Sequence, residues 1–323
     1  MAKVRIGILG CASIAERYVI PAIIENLNYE LIAIASRGED LGKLERFSNK
    51  FNCEGILGYE NLLNRDDIEV VYIPLPPGLH EEWVIKSLEK DKHVLIEKPS
   101  STSLQSVKKM ISIAKHRKLL IKENYMFEYH SQHTYVKSIL NDAVGDIRLV
   151  RATFAIPKLN NDNFRYNKIL GGGALLDTGG YPIKISQILL GQELIVKSAK
   201  MNYVPGFEVD MFGSATLENK DGIQAQISYG LDNFYQCSYE ILGTKGKVVL
   251  DRAFTAPPGY FSDLFIEIPG ENIHKKLPSD NHFIRILNHF YNSLRSYDYD
   301  IEYSMLLNQA RLVDEIREVS KIG

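Results

Sequence analysis

Val4-Arg5-Ile6-Gly7-Ile8-Leu9-Gly10-Cys11-Ala12-Ser13-Ile14-Ala15 stands near the start of a 323-residue chain. Its first six residues form a short apolar run, the pattern of a strand buried on both faces. The turn behind it, Gly10-x-Ala12-x-x-Ala15, is a softened Gly-x-Gly-x-x-Gly. Gly10 permits the tight turn, Ala12 is small enough for a pyrophosphate to approach the backbone, and Ala15 lets a helix pack on the strand. The N–H groups of that helix then face a phosphate. A turn of small residues that only packs a helix would carry the same letters, so the surrounding pattern matters.

That pattern repeats. Apolar runs recur at 31–35, 69–73, 93–96 and 119–121. Helical patterns fall between them, at 79–89 and at 104–115, where Val107, Ile111 and Ala114 share a face. Strands alternating with helices predict an α/β domain with a doubly wound parallel sheet over 1–125. Beyond it the pattern changes. A helix is expected at 132–140 and a strand at 147–155. Longer alternating runs between 195 and 250 predict an antiparallel sheet whose second face is wet or covered by a partner. Helices near 283–293 and 305–319 close a second domain expected over 126–323.

Composition narrows the function. Apolar residues make up 45%, charged residues 24% and aromatics 10%, ordinary globular values that exclude disorder, collagen and coiled coil. Forty acidic against 38 basic residues exclude a bulk basic field for nucleic acid but leave room for a local anion site. The three cysteines, Cys11, Cys53 and Cys237, never pair as Cys-x-x-Cys, which fits a reducing compartment. No apolar run reaches the roughly 18 residues of a membrane span. The stretch before Cys11 is shorter than the roughly 7–15 residues of a signal h-region. A soluble, cytoplasmic protein without a nucleic-acid or membrane partner is expected.

Three places carry chemistry. After the second strand stand Ser36 and Arg37, where an NAD enzyme usually places an acid. A guanidinium there suits the 2′-phosphate of NADP, so NADP is expected over NAD, although a surface Arg capping a strand would read alike. The fourth strand ends Glu97-Lys98-Pro99, which puts Lys98 at a carboxyl end where such sheets bind ligands. Pro99 restricts Lys98 to an extended backbone; a solvated surface lysine is the plainer alternative. Finally, Gly171-Gly172-Gly173-Ala174-Leu175-Leu176-Asp177-Thr178-Gly179-Gly180-Tyr181-Pro182 opens an apolar helix. Asp177 and Tyr181 are four apart and share a helix face. Glycine costs a helix roughly 1 kcal/mol and proline about 3. Their presence here implies close approach to something, or else a Gly-rich turn before a buried Tyr.

Together the motifs resemble the glucose–fructose oxidoreductase/inositol dehydrogenase (Gfo/Idh/MocA) family. The resemblance spans nearly the whole chain. It rests on Gly7-x-x-Gly10-x-Ala12-x-x-Ala15, Ser36-Arg37, Tyr72-Ile73-Pro74-Leu75-Pro76, His80, Glu97-Lys98-Pro99 and the 171–181 stretch, in that order. It implies an N-terminal Rossmann fold and a C-terminal α+β domain with a large open antiparallel sheet. It implies hydride transfer between NAD(P) and a carbonyl or alcohol carbon, usually of a sugar, in a homodimer or homotetramer joined through that sheet.

Many members carry His where Tyr181 stands. The Tyr branch includes nucleotide-sugar 3-ketoreductases, dimeric dihydrodiol and xylose dehydrogenases, and glucose–fructose oxidoreductase. A free phenol with a pKa near ~10 is a proton donor at neutral pH, which suits ketone reduction. Lys98 would lower the Tyr181 pKa and polarise the carbonyl, and Asp177 would bind substrate hydroxyls or orient the Tyr181–Lys98 pair. The resemblance implies cofactor contacts at Gly10, Ala12, Ser13, Ile14, Ser36 and Arg37. It adds Leu75, His80, Glu97, Lys98, Asn124, Phe164 and Arg165. Substrate contacts are implied at Tyr125, Phe127, His130, Asp177, Tyr181 and His282. Segment 123–133 is nearest the 3-ketoreductases, with Tyr129 in place of the first of a His-His pair. Pro77 likewise stands where relatives often have Asn.

The expected activity is NADPH-dependent reduction of a keto group on a nucleotide-linked sugar. The alternatives are a sugar or trans-dihydrodiol dehydrogenase working oxidatively, and a non-catalytic NAD(P)-binding sensor. A sensor would not need Lys98, Asp177 and Tyr181 together. Glu128, His130 and His133 could ligate a metal, but they lack a further strong ligand nearby, and no metal is expected.

Overall fold

The computed structural model describes residues 2–38 and 41–322. The chain divides into two compact units. The first runs to Asn124 and takes up Phe283–Leu307 again; the second holds Tyr125–His282 and the chain from Asn308.

The first unit is built on a six-stranded parallel sheet. Its strands are β1 (Val4–Leu9), β2 (Tyr29–Ser36), β3 (Glu54–Leu57), β4 (Val70–Ile73), β5 (His93–Ile96) and β6 (Ile121–Glu123). Helices α1 (Ile20–Glu25), α2 (Leu41–Phe51), α3 (Tyr59–Leu63), α4 (His80–Glu89) and α5 (Leu104–Arg117) fill the connections. The order is β3-β2-β1-β4-β5-β6. The chain therefore winds outward from β1, then restarts at β4 on its other side. Ligands of such sheets bind at the carboxyl ends of the strands flanking that reversal.

β3 was not legible: in Glu54-Gly55-Ile56-Leu57 only Ile56 is partly buried. The run at 119–121 becomes a strand only at Ile121, because the Leu119 N–H still bonds the Ala114 carbonyl and closes α5.

Two long helices end the chain, α8 (His282–Ser296) and α9 (Asp300–Ile322). Most of α8 and the start of α9 pack in the first unit, which a single cut at 125 does not anticipate. Tyr18 stacks on Phe283 at 4.9 Å, and the Tyr303 hydroxyl donates to the Leu119 carbonyl at 2.6 Å.

The second unit has α6 (Ser131–Ala143), α7 (Gly180–Leu190) and an eight-stranded sheet. Its strands are β7 (Ile147–Ala155), β8 (Ile195–Tyr203), β9 (Asp210–Glu218), β10 (Gln224–Gly230), β11 (Gln236–Gly243), β12 (Lys247–Asp251), β13 (Asp263–Ile268) and β14 (Glu271–Lys276). The order is β14-β13-β12-β11-β7-β10-β9-β8. The expected antiparallel sheet needs one correction: β7 and β10 run parallel. The β8–β9–β10 meander starts at the far edge and returns to β7, so its third strand meets β7 in the same direction. One face is apolar, with Val150, Ala152, Phe154, Ile227 and Ile241 buried. The other is polar, with Thr153 and Ser228 hydroxyls 2.7 Å apart and Arg151 paired to Glu240.

Candidate active site

In the first unit the motif residues gather at the carboxyl ends of the strands. Gly10 has φ +118°, and a Cβ there would lie 2.9 Å from the Leu75 side chain. Glycine is thus required both by its conformation and by the loop after β4. Behind it the helix opens through a wide π-type turn, Ala15–Val19, with Ser13 exposed and Ala12 and Ile14 partly so. Arg37 is exposed just past β2, and the Ser36 hydroxyl accepts from the Gly38 N–H at 3.4 Å.

Three residues expected at the cofactor are tied into the surrounding chain by internal hydrogen bonds. His80 is fully buried, with Nδ1 2.8 Å from the Pro99 carbonyl and Nε2 2.7 Å from the Leu75 carbonyl. Burial drives its pKa down to about 4, so it acts as a neutral imidazole with one N–H between the loops after β4 and β5. Glu97 is buried and accepts from the Tyr72 hydroxyl at 2.6 Å and from the Asn124 amide. Burial raises its pKa against those hydrogen bonds. Asn124 also donates its N–H to the Ile96 carbonyl. Glu123, which sequence reading passed over, accepts from the Ser100 N–H at 2.7 Å. Glu123 is a polar residue at the end of a buried strand, the one signal that could have found it. Lys98 is half-buried, and its bond to Pro99 is cis.

In the second unit Asp177 lies in a wide π-type turn, Leu175–Gly179, that leads directly into α7. Such turns are frequent at functional sites. Tyr181 is 5% exposed, and its ring sits among Tyr125, Phe127, Phe154 and Phe254 at centroid distances of 4.8–5.8 Å. The close approach implied by the glycines is made by the chain's own tyrosines. A Cβ on Gly180 would lie 1.8 Å from the Tyr125 hydroxyl, and one on Gly179 would lie 3.2 Å from the Tyr229 ring.

Asp177 has a partner that the sequence reading assigned elsewhere. Arg165 Nε donates to Asp177 Oδ2 at 2.7 Å. Its guanidinium lies 4.7 Å from the Phe164 ring centroid, and Asn163 Oδ1 accepts its backbone N–H. Burial works against the Arg165 charge, but the adjoining Asp177 carboxylate outweighs it and raises its pKa. Arg165 was expected at the cofactor, and Asp177 on substrate hydroxyls or orienting the Tyr181–Lys98 pair; the structure brings Arg165 and Asp177 together beside Tyr181.

His130 and His282 form a second buried pair, ring centroids 5.6 Å apart. Burial, then the His130 ring, pushes His282 down to about 3. His133 is also held down to about 3, chiefly by burial, between Phe127 and Tyr239. Among the described residues no group of three or more His, Cys, Asp or Glu is placed to hold a metal, and no helix is long and apolar enough to cross a membrane.

A parallel sheet with an anion-receptive turn at its reversal, and a second unit presenting a buried phenol beside an Arg–Asp pair, define a two-unit pyridine-nucleotide oxidoreductase. The chain belongs to the Gfo/Idh/MocA oxidoreductase family. The model of that family's NAD-binding Rossmann fold matches residues 4–125, and the model of its C-terminal domain matches 133–249. The chain is 40% identical over 294 residues to a dTDP-3,4-didehydro-2,6-dideoxy-α-D-glucose 3-reductase of Saccharopolyspora spinosa, covering 91% of this chain and 88% of that one. A protein of the same name from Actinomadura kijaniata is 38% identical, with 97% and 95% covered. Among solved structures, KijD10, a 3-ketoreductase from Actinomadura kijaniata in complex with NADP and TDP-benzene, superposes with a TM-score of 0.93. It is 36% identical, over 98% of this chain and 97% of that one.

Proposed function

We propose that this protein reduces the keto group of a nucleotide-linked sugar with NADPH, with Tyr181 as proton donor and Lys98 as the cation at the carbonyl oxygen. The observation that carries the reading is the setting of Tyr181, a phenol clamped by four aromatic rings next to the Asp177–Arg165 pair. The 3-reductase chemistry of the similar proteins supports it, as do the NADP and TDP-benzene held by the similar structure.

The first unit fits the dinucleotide. Gly10 makes the positive-φ turn out of β1, and Ala12, Ser13 and Ile14 behind it present the start of a helix to the pyrophosphate. Arg37 is exposed where a 2′-phosphate would need a cation. Bound NADPH supplies the hydride to the keto carbon. Tyr181 gives its hydroxyl proton to the carbonyl oxygen as negative charge builds there, so the product is the alcohol. Lys98 stabilises that charge. The Arg165–Asp177 pair keeps the surroundings of the phenol close to neutral and is open to hydrogen bonds with sugar hydroxyls. The polar outer face of the second unit's sheet is assigned to a homodimer or homotetramer contact.

Purified protein mixed with NADPH and a panel of keto-sugar nucleotides tests the reading through loss of nicotinamide absorbance. Turnover is expected with a dTDP-linked 3-keto-deoxysugar. Full turnover by Lys98→Ala would remove Lys98 from the chemistry. Arg37→Ala is expected to raise the KM for NADPH about 10- to 100-fold, the range of a charge-assisted hydrogen bond at roughly 1.5–3 kcal/mol. The KM for NADH should not move. An enzyme that prefers NADH, with that order unchanged in Arg37→Ala, contradicts the assignment.

A further inference from the structure

Asp210 opens β9 in the second unit and is 6% exposed, yet the chemistry above gives its carboxylate no task. Its Oδ2 accepts from the Leu175 N–H at 2.7 Å. Leu175 begins the wide turn that carries Asp177 and leads to Tyr181. Its Oδ1 fills the space in front of Gly173, where a Cβ would lie only 2.3 Å away. Gly173 has φ +119°, a conformation in which side chains are strained.

The turn's own N-terminus offers no cap. Ala174 precedes Leu175 with no side-chain hydrogen bond, where Ser, Thr, Asp or Asn would ordinarily accept one. The acceptor instead comes from a strand 35 residues later. A local cap would satisfy the N–H group and nothing else. A cap from the sheet also fixes the height and rotation of the turn against β9.

We propose that Asp210 is a positioning residue for the reduction: lodged against Gly173, it caps Leu175 and so sets where the Tyr181 hydroxyl and the Asp177 carboxylate stand. It acts through the turn and does not take part in proton transfer. The inference rests on the reading of Tyr181 as proton donor.

Four proteins test it: Asp210→Ala, Asp210→Asn, Tyr181→Phe and the Tyr181→Phe/Asp210→Ala double variant. A misplaced catalytic group loses up to about 10²-fold in rate. Asp210→Ala is therefore expected to lower kcat by roughly 10- to 100-fold. NADPH affinity, read by fluorescence titration, should stay the same because the first unit is untouched. Asp210→Asn keeps an oxygen to accept the Leu175 N–H and should retain most of kcat. In the Tyr181→Phe background, adding Asp210→Ala should lower the residual rate little, since both changes disable one device.

Unchanged kcat in Asp210→Ala overturns the inference. So does an Asn variant as impaired as the Ala variant, or effects that multiply in the double variant, as a general loss of structure would give. Should Asp210→Ala not fold, Asp210→Asn and Gly173→Ala decide; the latter must lower kcat by displacing the same carboxylate. An inactive Tyr181→Phe beside a normal Asp210→Ala removes this inference alone, whereas a fully active Tyr181→Phe removes it together with the proposed function.

Discussion

Tyr181→Phe is expected to lower kcat for ketone reduction by roughly 10²- to 10⁴-fold, the usual share of a positioned general acid. NADPH affinity and the unfolding temperature should hardly change. The structure makes this a narrow test. The Tyr181 ring is gripped edge-on by Tyr125 and Phe154 and obliquely by Phe127 and Phe254. Phenylalanine keeps every one of those contacts and removes a single hydroxyl. A loss in kcat therefore reports on the proton and not on packing, and a variant with wild-type turnover would refute the assignment. Tyr181→His is a harsher change. Imidazole is smaller than a phenol and would leave part of the aromatic socket empty, so it should cost stability as well as rate.

Positions under local backbone or packing constraint were legible in the letters. Gly10 needs its positive φ, and Gly179 and Gly180 admit ring carbons and a hydroxyl, so the sequence advertises them as glycines inside an otherwise apolar pattern. The five apolar runs of the first unit mark buried strands because both faces of a parallel sheet are covered. Contacts between distant segments left no such mark. Nothing in Glu208-Val209-Asp210 distinguishes a surface acid from one that caps a turn 35 residues earlier. His80 and Glu97 were found as residues, but their partners are backbone carbonyls and a strand tyrosine that only the fold brings near. The parallel pairing of β7 with β10 depends on where a meander returns, a property of topology that alternation alone does not encode. The C-terminal helices read correctly as helices, yet their amphipathic faces do not say which sheet they cover.

One such distant contact carries the second large prediction. Lys122 on β6 and Glu302 on α9 are 4% and 5% exposed, and Nζ stands 2.7 Å from Oε2. The other carboxylate oxygen lies 2.5 Å from His289 Nε2 and accepts from the Ser293 hydroxyl at 3.1 Å. Burial pushes the Glu302 pKa up, but His289 and Lys122 together outweigh it and hold it at about 2. Glu302→Ala removes the carboxylate opposite a buried ammonium, a change that costs about 3–5 kcal/mol. Urea unfolding at pH 7 should show this as a markedly lower midpoint.

The pH dependence has a definite sign. A carboxyl whose folded pKa lies below its unfolded value of about 4.3 stabilises the fold above that pH, and the gain disappears as pH falls toward the folded pKa. The gap between wild type and Glu302→Ala should therefore be full at pH 6–7 and shrink steadily between about pH 4 and 2. Lys122→Met combined with Glu302→Leu replaces both charges with apolar side chains of similar length. It should recover most of the stability that Glu302→Ala loses, because a well-packed apolar pair need not bear the desolvation of two ions. Equal urea midpoints for wild type and Glu302→Ala at pH 7 would show that the pair contributes nothing to docking α9 on β6. A gap that persists unchanged at pH 2 would show that its contribution is packing and not charge.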